Sequence, residues 1–180
     1  MTDLTTAAPI ARPQSTEYSP YYAGYIAQVP DGDVVQVLRA QIGETLALLR
    51  AIPDERASHR YAPGKWSIKE VVGHMADVER VMAYRALRIA RGDATPLPGF
   101  DENAYVPAAN FEARSLGSLA HELEQVRHAT VAFLETLEPD AAARRGTVNN
   151  FAISARALVY IITGHERHHV RLLRERYLTK

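Results

Sequence analysis

The stretch KWSIKEVVGHMADVER, residues 65–80, carries a helix start, a helix face and an inward imidazole in one short run. Ser67 followed by Glu70 has the spacing of a capping box, in which each side chain takes up a backbone N–H of the first turn. Val71, His74, Val78 and Val81 then recur at three- and four-residue intervals. That is one face of a helix, and the pattern lasts to Arg91, just before Gly92.

The same period extends to both sides of this run. Upstream, Val34, Leu38, Ile42, Thr45, Leu49 and Ile52 mark a first helix that begins after Asp33 and stops at Pro53. Downstream, residues 92–114 hold three prolines and no period, so they form a long connection. A third helix starts near Ser115, with Leu116, Leu119, Leu123, Val126, Thr130, Phe133 and Leu137 inward. A fourth starts at Ser154, with Leu158, Ile161, Ile162, Leu172 and Leu173 inward.

Four long helices without a convincing strand pair predict an all-α four-helix bundle. At about 3.3 Å per extended residue, the 92–114 connection can outrun a helix of ~37 Å. The second and third helices can therefore be parallel, in an up-down-down-up order. Residues 1–30 contain four prolines and Tyr18, Tyr21, Tyr22 and Tyr25. They are expected to form a partly disordered arm: a disordered first dozen residues, then an extended part whose tyrosines pack on the body. The bundle takes residues 31–180.

Composition removes whole classes of function. Twenty-one Lys and Arg balance twenty-one Asp and Glu, so no net field selects nucleic acid or an anionic membrane surface. No cysteine is present, which excludes disulfides and thiolate ligands and leaves nitrogen and oxygen to hold any metal. The N-terminus lacks the pattern of a secretory signal, and the longest apolar run, ALVYIITG, is far short of the roughly 20 residues of a membrane span. A soluble, cytoplasmic protein is expected.

The run TGHERHHVRLL, residues 163–173, places three histidines in five positions. At 100° per residue, His165 and His169 fall within about 20° of the centre of the apolar stripe, while His168 lies about 80° away. Arg167, Arg171 and Arg174 take the opposite face, with Glu166 and Glu175 interrupting the basic strip, as on a solvated surface. Two imidazoles at i and i+4 on one face can reach one ion. His74, near the start of the second helix, meets their level if that helix runs antiparallel to the fourth. Three nitrogen ligands with an open position suit zinc, nickel or another divalent ion; buried hydrogen bonding to tyrosine or carboxylate is the competing account. His121 and His128, off the leucine stripe, read as solvated, and His59 lies in a loop.

In PGKWSIKEVVGHMADVER, PLPGFDENAYV and GHERHHVRLL, together with the helix order, the sequence resembles the DinB superfamily, specifically its DinB-like (YfiT-like) metalloenzymes. The resemblance spans about residues 30–178. It implies the up-down-down-up bundle and a divalent metal on His74, His165 and His169. It also implies a homodimer, and an activity that is either metal-dependent hydrolysis or transfer of a low-molecular-weight thiol to a small-molecule substrate. A hydrolase needs a base, for which Asp101, Glu102 and Asp77 are candidates. Asp101 and Glu102 also suit a loop turn or helix cap. Arg85, on the His74 stripe, suits either the carboxylates of a thiol cofactor or a salt bridge at the rim. A non-catalytic interaction or stress-related protein with a structural or vestigial metal site is the alternative.

Overall fold

The computed structural model describes residues 8–179. Its four long helices are α2 (Val34–Arg50), α3 (Ile68–Ala90), α5 (Leu116–Leu134) and α7 (Ala155–Leu172). Each begins on a side chain that accepts from the first turn: Asp33, Ser67, Ser115 and Ser154. At Ser67 the capping box is complete, since Glu70 reaches back to the Ser67 N–H at 2.7 Å. Short hydrogen-bonding residues at these positions satisfy N–H groups that a helix cannot satisfy itself. Beyond Leu172, α7 continues as a π-helical turn, Leu173–Tyr177.

The order of the bundle is legible in its core, which divides into two apolar layers. One joins the start of α2 (Val34, Leu38) to the end of α3 (Met82, Ile89), the end of α5 (Leu134) and the start of α7 (Leu158, Ile161). The other joins the end of α2 (Leu46, Leu49) to the start of α3 (Ile68, Val72), the start of α5 (Leu116, Leu119) and Leu173 beyond α7. So α2 and α7 run one way, and α3 and α5 the other, the up-down-down-up order. Among the described residues no helix is long and apolar enough to cross a membrane.

Between the two layers lies a polar belt. Arg127 of α5 is wholly buried, and its Nε and Nη2 donate to both oxygens of Glu79 at 2.9 and 2.8 Å. Nη2 also donates to Glu166 at 2.6 Å, and Nη1 to the Leu38 carbonyl at 3.0 Å. Glu166 further accepts from Thr45 at 2.5 Å and from the Gln41 amide. Burial lowers the Arg127 pKa, but the charges of Glu79 and Glu166 outweigh it and hold the guanidinium ionised. Glu166 is therefore a core residue, not part of a solvated strip. Only the packing of α2 and α5 on that side reveals it.

Three further expectations change. Residues 92–114 are not a bare connection: α4 (Glu102–Ala109) forms within them, capped by Asp101 and ended by Asn110 in the left-handed region, φ 50°. Pro107 inside this helix hides it from a pattern reading. A strand pair is present after the five-residue helix α6 (Pro139–Ala143). β1 (Arg145–Val148) and β2 (Phe151–Ser154) pair antiparallel, with Val148 opposite Phe151. Their two-residue turn, Asn149 and Asn150, has positive φ at both positions (48° and 65°), as a type I′ hairpin turn requires and asparagine tolerates. Leu97 joins the edge, donating from N to the Thr147 carbonyl and accepting from Asn149 N, both at 2.9 Å.

The third change concerns the arm. The expected disorder of the first dozen residues falls partly on residues 1–7, outside the described residues; Ile10, within that dozen, is buried. Residues 15–26 are not extended: two 3₁₀ turns lead into α1 (Ala23–Ile26), which packs on α7. Gly164 makes that contact close, since a Cβ there would meet the Tyr25 carbonyl oxygen at 2.0 Å. Arg156 of α7 anchors the arm by donating to buried Glu17 (Nε at 2.7 Å), and this bond holds the Glu17 pKa down from 4.5 to about 2. A carboxyl depressed on folding stabilises fully above about 4.5, and that contribution fades as pH falls toward about 2. Glu17→Gln is expected to cost about 1.5–3 kcal/mol at neutral pH. In thermal melts its gap from the parent should narrow progressively below pH 4.5; a gap constant with pH would contradict the pairing.

Candidate metal centre

His74 sits on the second turn of α3, and His165 and His169 lie one turn apart near the end of α7. Because α3 and α7 are antiparallel neighbours, these positions share a level and all three side chains are buried. His165 Nε2 lies 3.1 Å from His74 Nε2 and 3.0 Å from His169 Nε2. One nitrogen from each residue falls within a 4.8 Å set, the histidine group among the described residues that could hold an ion. Burial pushes all three pKa values down, that of His74 to about 4 and the other two well below 6.5. Neutral imidazoles leave lone pairs for a Lewis acid.

The donor set fits a divalent ion of borderline softness. Two nitrogens bound at 2.0–2.1 Å to a tetrahedral centre lie about 3.3 Å apart, near the distances found here. A purely hydrogen-bonded cluster accounts for less. A neutral His165 can use its Nε2 toward only one role at a time, as donor or acceptor.

Aromatic rings hold the cluster in place. Trp66 packs on His74 at 4.6 Å between centroids, and Tyr25 meets the edges of His165 and His168 at 5.5 and 5.3 Å. Burial raises the Tyr25 pKa, so its hydroxyl stays protonated. His168 is half-buried and lies outside the converging nitrogens. His121 and His128 are exposed.

A cavity of about 400 Å³ opens onto His74 and His165. Tyr22, Tyr25, Met82, Phe100 and Ile153 contribute walls, and the hairpin turn closes one side through Val148 and Asn149. Of the carboxylate candidates, Glu102 lines this cavity. Asp101 is spent as the α4 cap, accepting from Asn103 N at 2.9 Å. Asp77 pairs with Arg80 at 3.4 Å on the side of Glu122, off the cavity lining. Arg85 is not a rim residue: it is 4% exposed, lines the cavity and has no salt-bridge partner among the described residues. The hairpin wall had no clear trace in the sequence, apart from the Asn149-Asn150 turn signal.

A four-helix bundle of this order, with three histidines converging beside a cavity, defines a class of helical proteins built around an inward imidazole cluster. The chain belongs to the DinB superfamily, whose sequence profile matches residues 38–173. It is 26% identical over 139 residues to a protein of Oceanobacillus iheyensis named "Putative metal-dependent hydrolase", covering 76% of this chain and 77% of that one. Among solved structures it is similar to YfiT from Bacillus subtilis, described as a probable metal-dependent hydrolase with an unusual four-helix bundle topology. There the TM-score is 0.68 at 19% identity, over 88% of this chain and 93% of that one. A mycothiol-dependent maleylpyruvate isomerase also matches, with TM-score 0.65 and 13% identity, over 81% of this chain and 61% of that one.

Proposed function

We infer that the protein is a metal-dependent enzyme acting on a small molecule, with one divalent ion, zinc or nickel, held by His74, His165 and His169. The observation that carries this reading is the convergence of three buried imidazole nitrogens beside a cavity that His74 and His165 line. A structural zinc site is normally closed by four protein ligands, whereas three leave a position for water or substrate. When bound, the ion would lower the pKa of a water or thiol ligand to near neutrality. The chain's own residues do the rest. Trp66 and Tyr25 fix the ring orientations, the apolar walls pack against a substrate body, and Glu102 is the cavity carboxylate available to accept a proton.

Hydrolysis is the first reading, supported by the name of the Oceanobacillus relative. Transfer of a low-molecular-weight thiol is the second, supported by Arg85, a cation inside the cavity that could hold a thiol's carboxylate. A cytoplasmic homodimer completes the proposal. The test is a panel of nitrophenyl esters and of thiol-acceptor pairs, assayed on metal-loaded, chelated and reconstituted protein. Turnover that chelation abolishes, that metal restores and that His74→Ala lacks supports an enzyme. No chelator-sensitive turnover on either panel would favour the interaction-protein reading.

A further inference from the structure

Arg85 is a buried cation that the histidine chemistry leaves unused. Its Nη2 donates to the Pro98 carbonyl at 2.7 Å, and its guanidinium lies 5.3 Å from the centre of the Phe100 ring. Among the described residues Nη1 meets only the Met82 sulfur, at 3.5 Å. No carboxylate forms a salt bridge with it among the described residues, so its positive charge stands unpaired in the cavity wall. Burial accordingly pushes its pKa down. The other buried arginine among the described residues, Arg127, is paired with two carboxylates.

His74 and Arg85 are eleven residues apart, three helical turns, and line the same cavity from one face of α3. Along the axis this is about 16 Å, shortened because long helical side chains lean toward the N-terminus. Met82, Phe100, Ile153 and Ile161 provide apolar surface in the same cavity.

We propose that Arg85 binds the carboxylate of the substrate, so that the cavity takes an elongated monocarboxylate with an apolar or aromatic body, its other end at the histidine cluster. The planar guanidinium matches a carboxylate through parallel N–H···O bonds. The single positive charge of Arg85 matches one carboxylate at that end of the cavity and leaves a phosphate dianion with one charge unmatched there. This rests on the reading of the histidines as the reaction centre, but the binding of the carboxylate is measurable without turnover.

The experiment is titration calorimetry of the metal-loaded protein with ω-phenylalkanoates from phenylacetate to 6-phenylhexanoate, each beside its neutral amide and a phenylalkyl phosphate. The parent should prefer at least one acid over its amide by about tenfold or more, the worth of a charge-assisted pair. Arg85→Gln should erase that preference while amide binding and metal content stay unchanged, and Arg85→Lys should restore part of it. Three results would overturn the assignment. These are equal binding of acid and amide across the series, tighter binding of the phosphates, and an acid preference that survives Arg85→Gln and so belongs to the metal. Acid preference in a chain that holds no metal would retain Arg85 and remove the metal reading. Metal without acid preference would do the reverse.

Discussion

Arg127→Ala is expected to cost about 3–5 kcal/mol of unfolding free energy, a large fraction of the stability of a domain this size. The guanidinium is the one cation between two buried carboxylates. Among the described residues its removal leaves Glu79 without a partner and Glu166 with only Thr45 and the Gln41 amide. The penalty comes from orphaned charge rather than from a lost attraction, so Arg127→Met should be nearly as costly. Replacing Arg127, Glu79 and Glu166 together by apolar residues of similar size should be far milder. Urea unfolding followed by circular dichroism measures this. A loss below about 1 kcal/mol for Arg127→Ala would mean that water or side-chain movement relieves the charges.

The same belt bears on the histidines. Glu166, next to His165, is held by groups on α2 and α5, whereas His165 faces α3. Those bonds fix the rotation of α7 about its axis, and that rotation carries His165 and His169 to His74. The belt thus positions the cluster without touching it.

His169→Ala is expected to lower affinity for zinc by more than about 100-fold, beyond the loss typical of groups that merely support a ligand. His168→Ala should leave affinity close to that of the parent. The two residues adjoin in sequence, and their difference is wholly one of direction. His169 aims Nε2 at His165 Nε2, 3.0 Å away, while His168 sits against Tyr25 and outside the converging set. Competition against a chromogenic chelator reads both constants. Equal losses would mean that α7 is rotated from the setting described here, or that His168 substitutes as a ligand.

Much of this was legible because a helix writes its start and its buried face into the sequence. Asp33, Ser67, Ser115 and Ser154 all cap the helices they announce. The wheel that separates His165 and His169 from His168 agrees with their placement. What stayed hidden depends on contacts between distant segments. Arg127 and Glu166 look like surface residues until α2, α3, α5 and α7 surround them. The four-residue strands are too short for a period to show, and Pro107 disguises α4. Arg85 was visible on the right stripe, but its want of a carboxylate partner could be seen only once the cavity had formed.

Elemental mass spectrometry of protein purified without an affinity tag, alongside the His74→Ala, His165→Ala double variant, tests the metal centre most directly. About one equivalent of zinc or nickel per chain in the parent and none in the variant is the expected result. A parent that holds no metal even after reconstitution, or a variant that holds as much as the parent, would contradict it.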